Sequence, residues 1–297
     1  MRDVYIVGIG TTQFAKHLDK SVKDLAGHAL TLCLEDAGIN NNEIQAVHFS
    51  NTNWGYQSGQ HCIRGQVALR GAGIMGIPIY NHENACASGS TAFHSAWLSV
   101  ASGYKDCTLA LGAEKMYDED KVKMFKSFFA GMDVENMIPQ MEALSAISDN
   151  LKLEIPGEYS TDGAGKDKSA FMDVYSAITR WHMDKYGTTQ KQLAMVASKN
   201  HFHSSLNPNA QFQNTMSVDE ILNARMVSWP LTVPMCAPVG DGGAAALICS
   251  KEYLEKLPDS RPVKIRASVL GSGTDRRIDE EHLDISFRLS TEAYEMG

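Results

Sequence analysis

The first 112 residues alternate between short apolar runs, typical of buried strands, and segments whose apolar residues recur at helical spacing. Ser21 and Asp24 form a capping-box pattern at the start of one such segment, and Gly38 is a natural end for it. Strands that alternate with helices predict an α/β fold with mostly parallel strands. The predicted strands cover residues 4–9, 44–49, 78–81 and 107–112, and the predicted helices cover residues 22–37, 60–70 and 88–102.

Regular patterning fades from Met116 to about residue 170, in a stretch that contains Pro156-Gly157 and Gly163-Ala164-Gly165. Excursions of this length inside an α/β domain are usually lids or binding loops. Helices are predicted again at residues 170–186, 188–204 and 251–256, and strands at residues 244–249 and 263–270. The strand at 263–270 and the helical segment after it echo the opening strand and helix. We therefore expect the chain to begin a second copy of its first unit, with the rest of that copy missing, disordered or supplied by another chain.

The charge of the chain excludes several classes of partner. Its 297 residues include 35 Asp or Glu and 27 Lys or Arg, which gives a formal net charge of −8. Nucleic acids and anionic membranes require basic surfaces, so neither is expected, whereas a local cluster of cations can still bind a small anion. The N-terminus runs into an apolar strand without the features of a signal peptide, and no window approaches the ~20 apolar residues of a spanning helix. The six scattered cysteines then indicate reduced thiols and a cytoplasmic location.

Cys86 stands apart from the other cysteines because it lies between a predicted strand and the first turn of a predicted helix. The small residues around it permit a tight turn and leave room for a substrate to approach the sulfur. A helix N-terminus offers free N–H groups and a positive dipole end, which favour a thiolate and can hold an oxyanion. On this local pattern alone, a nucleophile and a buried structural cysteine both remain open interpretations.

Several short motifs follow one another nearly from end to end of the chain. They are Val7-Gly8-Ile9-Gly10-Thr11-Thr12-Gln13-Phe14, Asn84-Ala85-Cys86-Ala87-Ser88-Gly89, Leu111-Gly112-Ala113-Glu114-Lys115-Met116, Tyr186-Gly187-Thr188-Thr189, Lys199-Asn200-His201, Asn207-Pro208-Asn209-Ala210, Cys236-Ala237-Pro238 and Asp241-Gly242-Gly243-Ala244-Ala245-Ala246. In this order and spacing the motifs resemble those of the thiolases, more closely the sterol-carrier-protein-x type and its bacterial and archaeal relatives.

The resemblance implies a fold and a chemistry. The family fold is a duplicated five-layer α-β-α-β-α arrangement. Residues 1–258 would form its N-terminal half, with a lid or loop region at about 116–225, and residues 262–297 would begin an incomplete C-terminal half. Cys86 would carry an acyl group as a thioester while a 3-oxoacyl-CoA is cleaved or formed, which divides one difficult step into two. Coenzyme A would be a substrate, no metal is implied, and Ala237 and Pro238 would contact its pantetheine arm.

The family also uses histidines for acid–base chemistry, and here the sequence departs from its pattern. In the sterol-carrier-type branch these histidines lie in His-Asp-x-Phe and Gly-His-Pro motifs, and neither motif occurs in this sequence. We therefore expect the acid–base partners of Cys86 to come from residues outside this sequence.

Other polar residues favour structural roles. His82 lies at a predicted strand end, and His94 lies about two helical turns from Cys86. His201 and His203 resemble a metal pair but lack a third ligand. Lys166 and Lys168 could bind the phosphates of CoA, although a position in a solvated loop is the default for both.

The Met- and Phe-rich stretch has two interpretations. Such residues ordinarily form a core, but in the family's lid they would build a wide, adaptable apolar pocket. A pocket of this kind favours a bulky, aromatic or branched acyl group, in keeping with a resemblance to thiolases of anaerobic aromatic degradation that act on benzoylsuccinyl-CoA. The residues are Met116, Met124, Phe125, Phe128, Phe129, Met132, Met137 and Met141.

The resemblance further implies partners and alternatives. A homodimer is expected, and because subunits of this branch often pair with a small zinc-ribbon/OB-fold protein, a heteromer is expected as well. The leading hypothesis is thiolytic cleavage of a bulky 3-oxoacyl-CoA through Cys86. A ketosynthase or aldolase-type thiolase relative would share the cysteine-centred fold, and a non-catalytic thiolase-like subunit would scaffold a partner.

Overall fold

A computed structural model describes residues 1–137, 139, 142, 151–153 and 163–297, so Met141 and Pro156-Gly157 lie outside the described residues. The strands are β1 (Val4–Thr11), β2 (Ala46–Ser50), β3 (Ile79–His82), β4 (Cys107–Glu114), β5 (Met226–Ser228), β6 (Leu231–Thr232), β7 (Gly242–Ser250) and β8 (Val263–Lys264). The α-helices are α1 (Val22–Ala37), α2 (Trp54–Ser58), α3 (Arg64–Leu69), α4 (Ser88–Ala101), α5 (Lys121–Lys126), α6 (Phe171–Tyr186), α7 (Gln190–Ser205), α8 (Val218–Leu222), α9 (Lys251–Leu254) and α10 (Ile285–Met296). Within the described part of the chain, no helix combines the length and apolar character that crossing a membrane requires.

The chain divides into two compact units. Unit 1 consists of Met1–Met116 and Gly240–Gly297, and unit 2 consists of Tyr117–Val239. Unit 1 contains a six-stranded sheet in the order β3-β2-β4-β7-β1-β8. In this sheet β2 is parallel to β3 and β4, whereas β7 is antiparallel to β4 and β1, and β8 is antiparallel to β1. The fold is α/β as predicted, but the sheet is mixed, so the expectation of mostly parallel strands is wrong. Because β7 is largely buried, its apolar run resembles that of a parallel strand.

The two faces of this sheet are covered by different helices. Helix α1 packs against β1, β4 and β7, and α4 packs against β2, β4 and β7. Along β4, the alternate residues Leu109 and Leu111 belong to the core cluster that includes α1, while Ala110 belongs to the cluster that includes α4. This period of two places one helix on each face of the sheet, and α4 follows directly from the turn that carries Cys86.

The predicted boundaries of α1 are confirmed by its capping groups. The Ser21 hydroxyl accepts a hydrogen bond from the Asp24 N–H at 3.3 Å, and the Asp24 carboxylate accepts one from the Ser21 N–H at 2.8 Å. Gly38 ends the helix with a left-handed φ of 69°, which a residue without a Cβ adopts at little cost.

The predicted strand at 263–270 is wrong beyond Lys264. Strand β8 pairs with β1 through Val263 and Lys264, and Ile265 adds one backbone hydrogen bond to Val4. Because β8 lies at the edge of the sheet and Val263 is exposed, a longer β8 would bury little additional apolar surface.

Unit 2 has its own small core. Ala194 and Ala197 of α7 pack with Ile221 of α8, and β5 and β6 form a two-stranded antiparallel sheet. Of the Met- and Phe-rich residues, Met124 is buried and the Phe128 ring makes an edge contact with Phe171. These two contacts are those of a core, whereas Phe125, Phe129, Met132 and Met137 are only partly buried.

Glycines in β1 allow α1 to lie unusually close to the sheet. A Cβ on Gly10 would lie 2.2 Å from the Ala29 carbonyl oxygen and 2.5 Å from the Cys33 nitrogen. A Cβ on Gly8 would lie 2.6 Å from the Cys33 carbonyl oxygen. Because these neighbours are backbone atoms inside a helix, they cannot move aside without shifting α1 as a whole.

We predict that Gly10→Ala lowers the free energy of unfolding by about 1–3 kcal/mol, the usual range for an overpacked core. Gly71→Ala is the matched control, because a Cβ at Gly71 meets nothing within 4 Å. Urea denaturation of both variants measures the difference. Equal midpoints for the two variants would contradict the close contact between β1 and α1.

Candidate active site

The loops that follow the three parallel strands of unit 1 lie at one edge of the sheet. Strands β2, β3 and β4 run in the same direction, so their carboxyl ends meet there. The loop Asn51–Asn53 follows β2, the turn with Cys86 follows β3, and Glu114 is the last residue of β4. This edge therefore brings together a thiol, a carboxylate and a loop of short polar side chains.

Cys86 is exposed and occupies the middle of a 3-10 turn, Ala85–Ala87, that continues directly into α4. The structure thus places it between a strand and a helix N-terminus, as the pattern predicts, and its role as a nucleophile stays a prediction. A Cβ built on Gly89 would meet nothing within 4 Å, so the space beside the first turn of α4 is open. The exposed thiol is accessible to a ligand.

Two hydroxyl groups hold the backbone of this turn. Ala85, directly before the cysteine, has a φ of 44° in the left-handed region. Its carbonyl oxygen lies 2.9 Å from Thr52 Oγ1 and 2.7 Å from Ser88 Oγ. Ser88 Oγ also accepts a hydrogen bond from the Asn84 N–H at 2.8 Å and lies 2.9 Å from Thr52 Oγ1.

The carboxylate of Glu114 holds the loop that supplies Thr52. It accepts hydrogen bonds from the Thr52 N–H at 2.8 Å, the Asn53 N–H at 3.1 Å and Asn51 Nδ2 at 2.9 Å. Burial raises the pKa of Glu114, while these hydrogen bonds and the charge of Arg64 act in the opposite direction. Arg64 Nη1 donates to the carbonyl oxygens of Asn51 and Thr52 at 2.6 and 3.2 Å.

His82 is engaged by another histidine, in agreement with the structural role predicted for it. Its Nε2 lies 3.0 Å from Nδ1 of His48, and Nε2 of His48 lies 3.1 Å from the Ser99 hydroxyl. The His48 ring also stacks on Tyr80, with 4.9 Å between the ring centroids. Burial, with the charge of His82 as a second cause, lowers the pKa of His48 to about 4, and burial also lowers the pKa of His82.

An ion pair in unit 1 fixes the chain just after β4. Asp241 is fully buried, and its carboxylate accepts hydrogen bonds from Lys115 Nζ at 3.1 Å and the Met116 N–H at 2.8 Å. It also accepts one from the His17 N–H at 3.1 Å. Both motifs that contain these residues contribute to the sequence resemblance, and the structure brings them into direct contact.

Three further residues singled out from the sequence make contacts elsewhere in the protein. His94 Nδ1 lies 3.0 Å from the Ser268 hydroxyl. His201 is buried and stacks on Phe212. Lys168 is not in a solvated loop as expected, because its buried side chain pairs with Asp173 at 2.7 Å.

Ala237 and Pro238 lie in unit 2, exposed, in the irregular segment after the 3-10 turn Val233–Met235. Their contact with a pantetheine arm stays a prediction. Among the described residues, no group of three or more His, Cys, Asp and Glu side chains is arranged to hold a metal ion.

Glu114 and Ser88 lie within sequence motifs that carry the resemblance, but the motifs indicate no role for either, and no sequence pattern points to Thr52 or Arg64. One signal was present for Glu114: a carboxylate ends a strand whose preceding residues, Cys-Thr-Leu-Ala-Leu-Gly-Ala, are otherwise mostly apolar. A carboxylate at the end of a buried strand requires hydrogen-bond donors nearby.

Comparison with known families and proteins gives consistent matches. The family model described as thiolase, N-terminal domain, matches residues 4–222. An acetyl-CoA acetyltransferase of Methanothermobacter thermautotrophicus is 33% identical over 301 residues, covering 100% of this chain and 70% of that protein. Sterol carrier protein 2 of Gallus gallus is 34% identical, covering 94% of this chain and 47% of that protein. Benzoylsuccinyl-CoA thiolase subunit BbsB of Thauera aromatica is 30% identical, covering 92% of this chain and 62% of that subunit.

Solved structures show the same fold. The Ltp2–ChsH2(DUF35) aldolase has a TM-score of 0.64 and 21% identity, covering 93% of this chain and 63% of that chain. An acetyl-CoA acetyltransferase from Syntrophomonas wolfei has a TM-score of 0.61 and 17% identity, covering 93% of this chain and 71% of that chain. The chain thus spans from about half to somewhat over two thirds of the length of these proteins.

Because the pKa values of His48 and His82 are lowered, we predict that the protein loses stability in acid. His48 is neutral in the folded protein down to a pKa of about 4, whereas an unfolded histidine binds a proton near 6.5. The unfolded state therefore binds more protons between these values, and the free energy of unfolding falls as the pH falls, by on the order of 1 kcal/mol per pH unit. Urea denaturation between pH 7 and 4.5 should show that the free energy of unfolding depends less on pH in His48→Gln than in the wild-type protein. His28→Gln, which changes an exposed histidine, should keep the wild-type slope, and an unchanged slope in His48→Gln would contradict the assignment.

Proposed function

The chain belongs to the thiolase family, and from that premise we propose that Cys86 is the nucleophile of an acyl transfer between CoA thioesters. The observation that carries the proposal is the placement of an exposed thiol in a 3-10 turn at the N-terminus of α4, directly after the left-handed residue Ala85. Free N–H groups at a helix N-terminus stabilise negative charge on a sulfur or on a carbonyl oxygen under attack.

The proposed reaction has two steps. The Cys86 thiolate attacks the 3-oxo carbon of a 3-oxoacyl-CoA, the bond between C2 and C3 breaks, and C2 of the departing acyl-CoA takes up a proton. The thiol of free CoA then attacks the enzyme thioester, which releases a second acyl-CoA and returns the thiol of Cys86. The reverse sequence forms the carbon–carbon bond, and the covalent intermediate divides one difficult cleavage into two easier steps.

For the substrate, we propose a 3-oxoacyl-CoA with a bulky or aromatic acyl group, such as benzoylsuccinyl-CoA. The 30% identity to benzoylsuccinyl-CoA thiolase subunit BbsB supports this choice. The Met and Phe side chains between Met124 and Met137 also support it, because several of them are only partly buried and can line a wide apolar site.

For the architecture and partners, we propose residues 1–258 as the N-terminal half of the family fold, and Ala237 and Pro238 as contacts of the pantetheine arm of CoA. We further propose a homodimer that pairs with a small zinc-ribbon/OB-fold subunit. The similarity to the Ltp2–ChsH2(DUF35) aldolase, a two-component protein, and to BbsB, a named subunit, supports pairing.

A second candidate is an aldolase-type reaction on the same scaffold. The structural similarity to the Ltp2–ChsH2(DUF35) aldolase favours it over a non-catalytic scaffold. The two reactions differ from the first step: a thiolase transfers an acyl group to its cysteine and needs free CoA to release it, whereas a retro-aldol cleavage releases a carbonyl compound and an acyl-CoA without an acyl enzyme.

We predict an acyl adduct on Cys86 when the complete protein, with any co-purifying partner, is incubated with acyl-CoA and measured by intact and peptide mass spectrometry. Cys86→Ala should lose the adduct. Cys62→Ala should keep it, and this variant is the matched control because Cys62 is the other exposed cysteine among the described residues. No adduct on the full-length wild-type protein with its co-purifying partner would refute the assignment of Cys86.

We further predict that benzoyl-CoA acylates Cys86 faster than acetyl-CoA does, by about tenfold or more, because a wide apolar site gains free energy from each buried CH group. Stopped reactions with each thioester at equal concentration measure the two rates. Addition of free CoA should release the acyl group as a thioester, whereas an aldolase would form no acyl enzyme for CoA to attack. Faster acetylation would contradict the bulky substrate and leave the role of Cys86 intact.

A further inference from the structure

The turn that carries Cys86 is held in a conformation that its own sequence does not favour. Ala85 has a φ of 44°, and Asn84 before it has a φ of −157° and a ψ of 50°. A left-handed conformation crowds the Cβ of an L-residue against its own carbonyl group, and glycine is the residue that avoids this cost. An alanine persists there only if the surroundings impose the conformation.

Hydrogen bonds to the carbonyl group of Ala85 supply that constraint. Thr52 Oγ1 and Ser88 Oγ both lie within hydrogen-bond distance of this oxygen and of each other. Two hydroxyl hydrogens serve these three contacts, so at least one hydroxyl donates to Ala85 in every allocation of the two hydrogens. Ser88 belongs to the same turn of chain, whereas Thr52 comes from the loop after β2 and fixes the turn relative to the sheet.

Thr52 is in turn held by the carboxylate of Glu114. The two carboxylate oxygens of Glu114 accept three hydrogen bonds from the Asn51–Asn53 loop: Oε1 accepts from Asn51 and Asn53, and Oε2 accepts from the Thr52 N–H. An ionised carboxylate can accept all three, because each of its oxygens offers two lone pairs and neither carries a hydrogen. Burial strengthens these hydrogen bonds by keeping water away from them.

We propose that Glu114 is a positioning residue for Cys86: its carboxylate holds the Asn51–Asn53 loop, and Thr52 of that loop holds the carbonyl group of Ala85 next to the cysteine. The inference rests on the proposed role of Cys86 as the nucleophile. Glu114 itself does not contact the reacting atoms. Through these contacts it fixes the position of the thiolate and the direction from which it attacks the carbonyl carbon. Small errors in that geometry slow a reaction strongly.

The test uses variants that break this chain of contacts at different links. Thr52→Val removes the hydroxyl but keeps the shape of the side chain and the backbone N–H that binds Glu114. Thr52→Ser restores the hydroxyl. Glu114→Gln replaces one carboxylate oxygen by an NH2 group, which must face a donor of the loop whichever way the amide is oriented. If Glu114→Gln does not fold, Thr52→Val tests the same link with the carboxylate intact.

Two measurements report on each variant. Hydrogen exchange of the Asn84 and Ala87 amides, which are bonded within the turn, should accelerate by on the order of tenfold in Thr52→Val and Glu114→Gln. The rate of Cys86 acylation at saturating acyl-CoA should fall about 10- to 100-fold, while the half-saturating concentration stays unchanged. Thr52→Ser should return both quantities toward the wild-type values.

Thr108→Val is the matched control. Thr108 is fully buried, and its hydroxyl donates to the Ala96 carbonyl oxygen of the same helix α4 at 3.2 Å, away from the turn. This variant should lose stability without faster exchange at Asn84 and Ala87 and without slower acylation. Equal effects of Thr108→Val and Thr52→Val would overturn the inference, as would wild-type exchange or wild-type acylation in Thr52→Val. If the wild-type protein forms no adduct, the proposed function fails, and the exchange rates still decide whether Glu114 and Thr52 hold the turn.

Discussion

Three hydrogen bonds to one partly buried carboxylate organise the edge of the sheet at which Cys86 lies. The loop between β2 and α2 has polar groups that point into the protein, and a buried N–H without a partner costs free energy. Glu114 accepts from all three residues of this loop. Arg64 binds the same loop from its carbonyl side. With donors and acceptors satisfied in this way, the loop becomes a rigid surface on which the nucleophile turn can rest.

The position of Glu114 depends on the remainder of unit 1. Close packing of α1 on β1, made possible by Gly8 and Gly10, fixes the sheet on one face, and α4 covers the other face. Directly after Glu114, Lys115 and Met116 bind the buried carboxylate of Asp241. An ion pair of this kind contributes little net stability, but it is costly to break and so specifies one arrangement of the chain. The end of β4 is therefore fixed on both sides of Glu114.

Local patterns predicted the parts of this fold that local chemistry determines. Ser21, Asp24 and Gly38 mark the ends of α1 in the sequence and in the structure. The change from a strand pattern to a helix pattern at Cys86 predicted its turn between β3 and α4. The direction of β7 was not predictable in this way, because a largely buried strand has the same composition whether its neighbours are parallel or antiparallel. Thr52 was missed for a related reason: it lies 33 residues before Ala85, and nothing near it in the sequence indicates that its hydroxyl meets that carbonyl group.

The balance of energies at Ala85 explains why such distant contacts are needed. A left-handed alanine costs about 1–2 kcal/mol, and a hydrogen bond contributes about 1 kcal/mol net. The strain and the hydrogen bonds at this carbonyl group are thus of similar size, so neither the turn sequence nor a single hydroxyl suffices to fix the conformation. A glycine at position 85 would remove the strain, but it would also allow the turn to adopt other conformations. Alanine held by Thr52 and Ser88 gives a turn that costs free energy to form but has few accessible conformations once formed. The sulfur of Cys86 is then confined to a small range of positions, as attack on a carbonyl carbon requires.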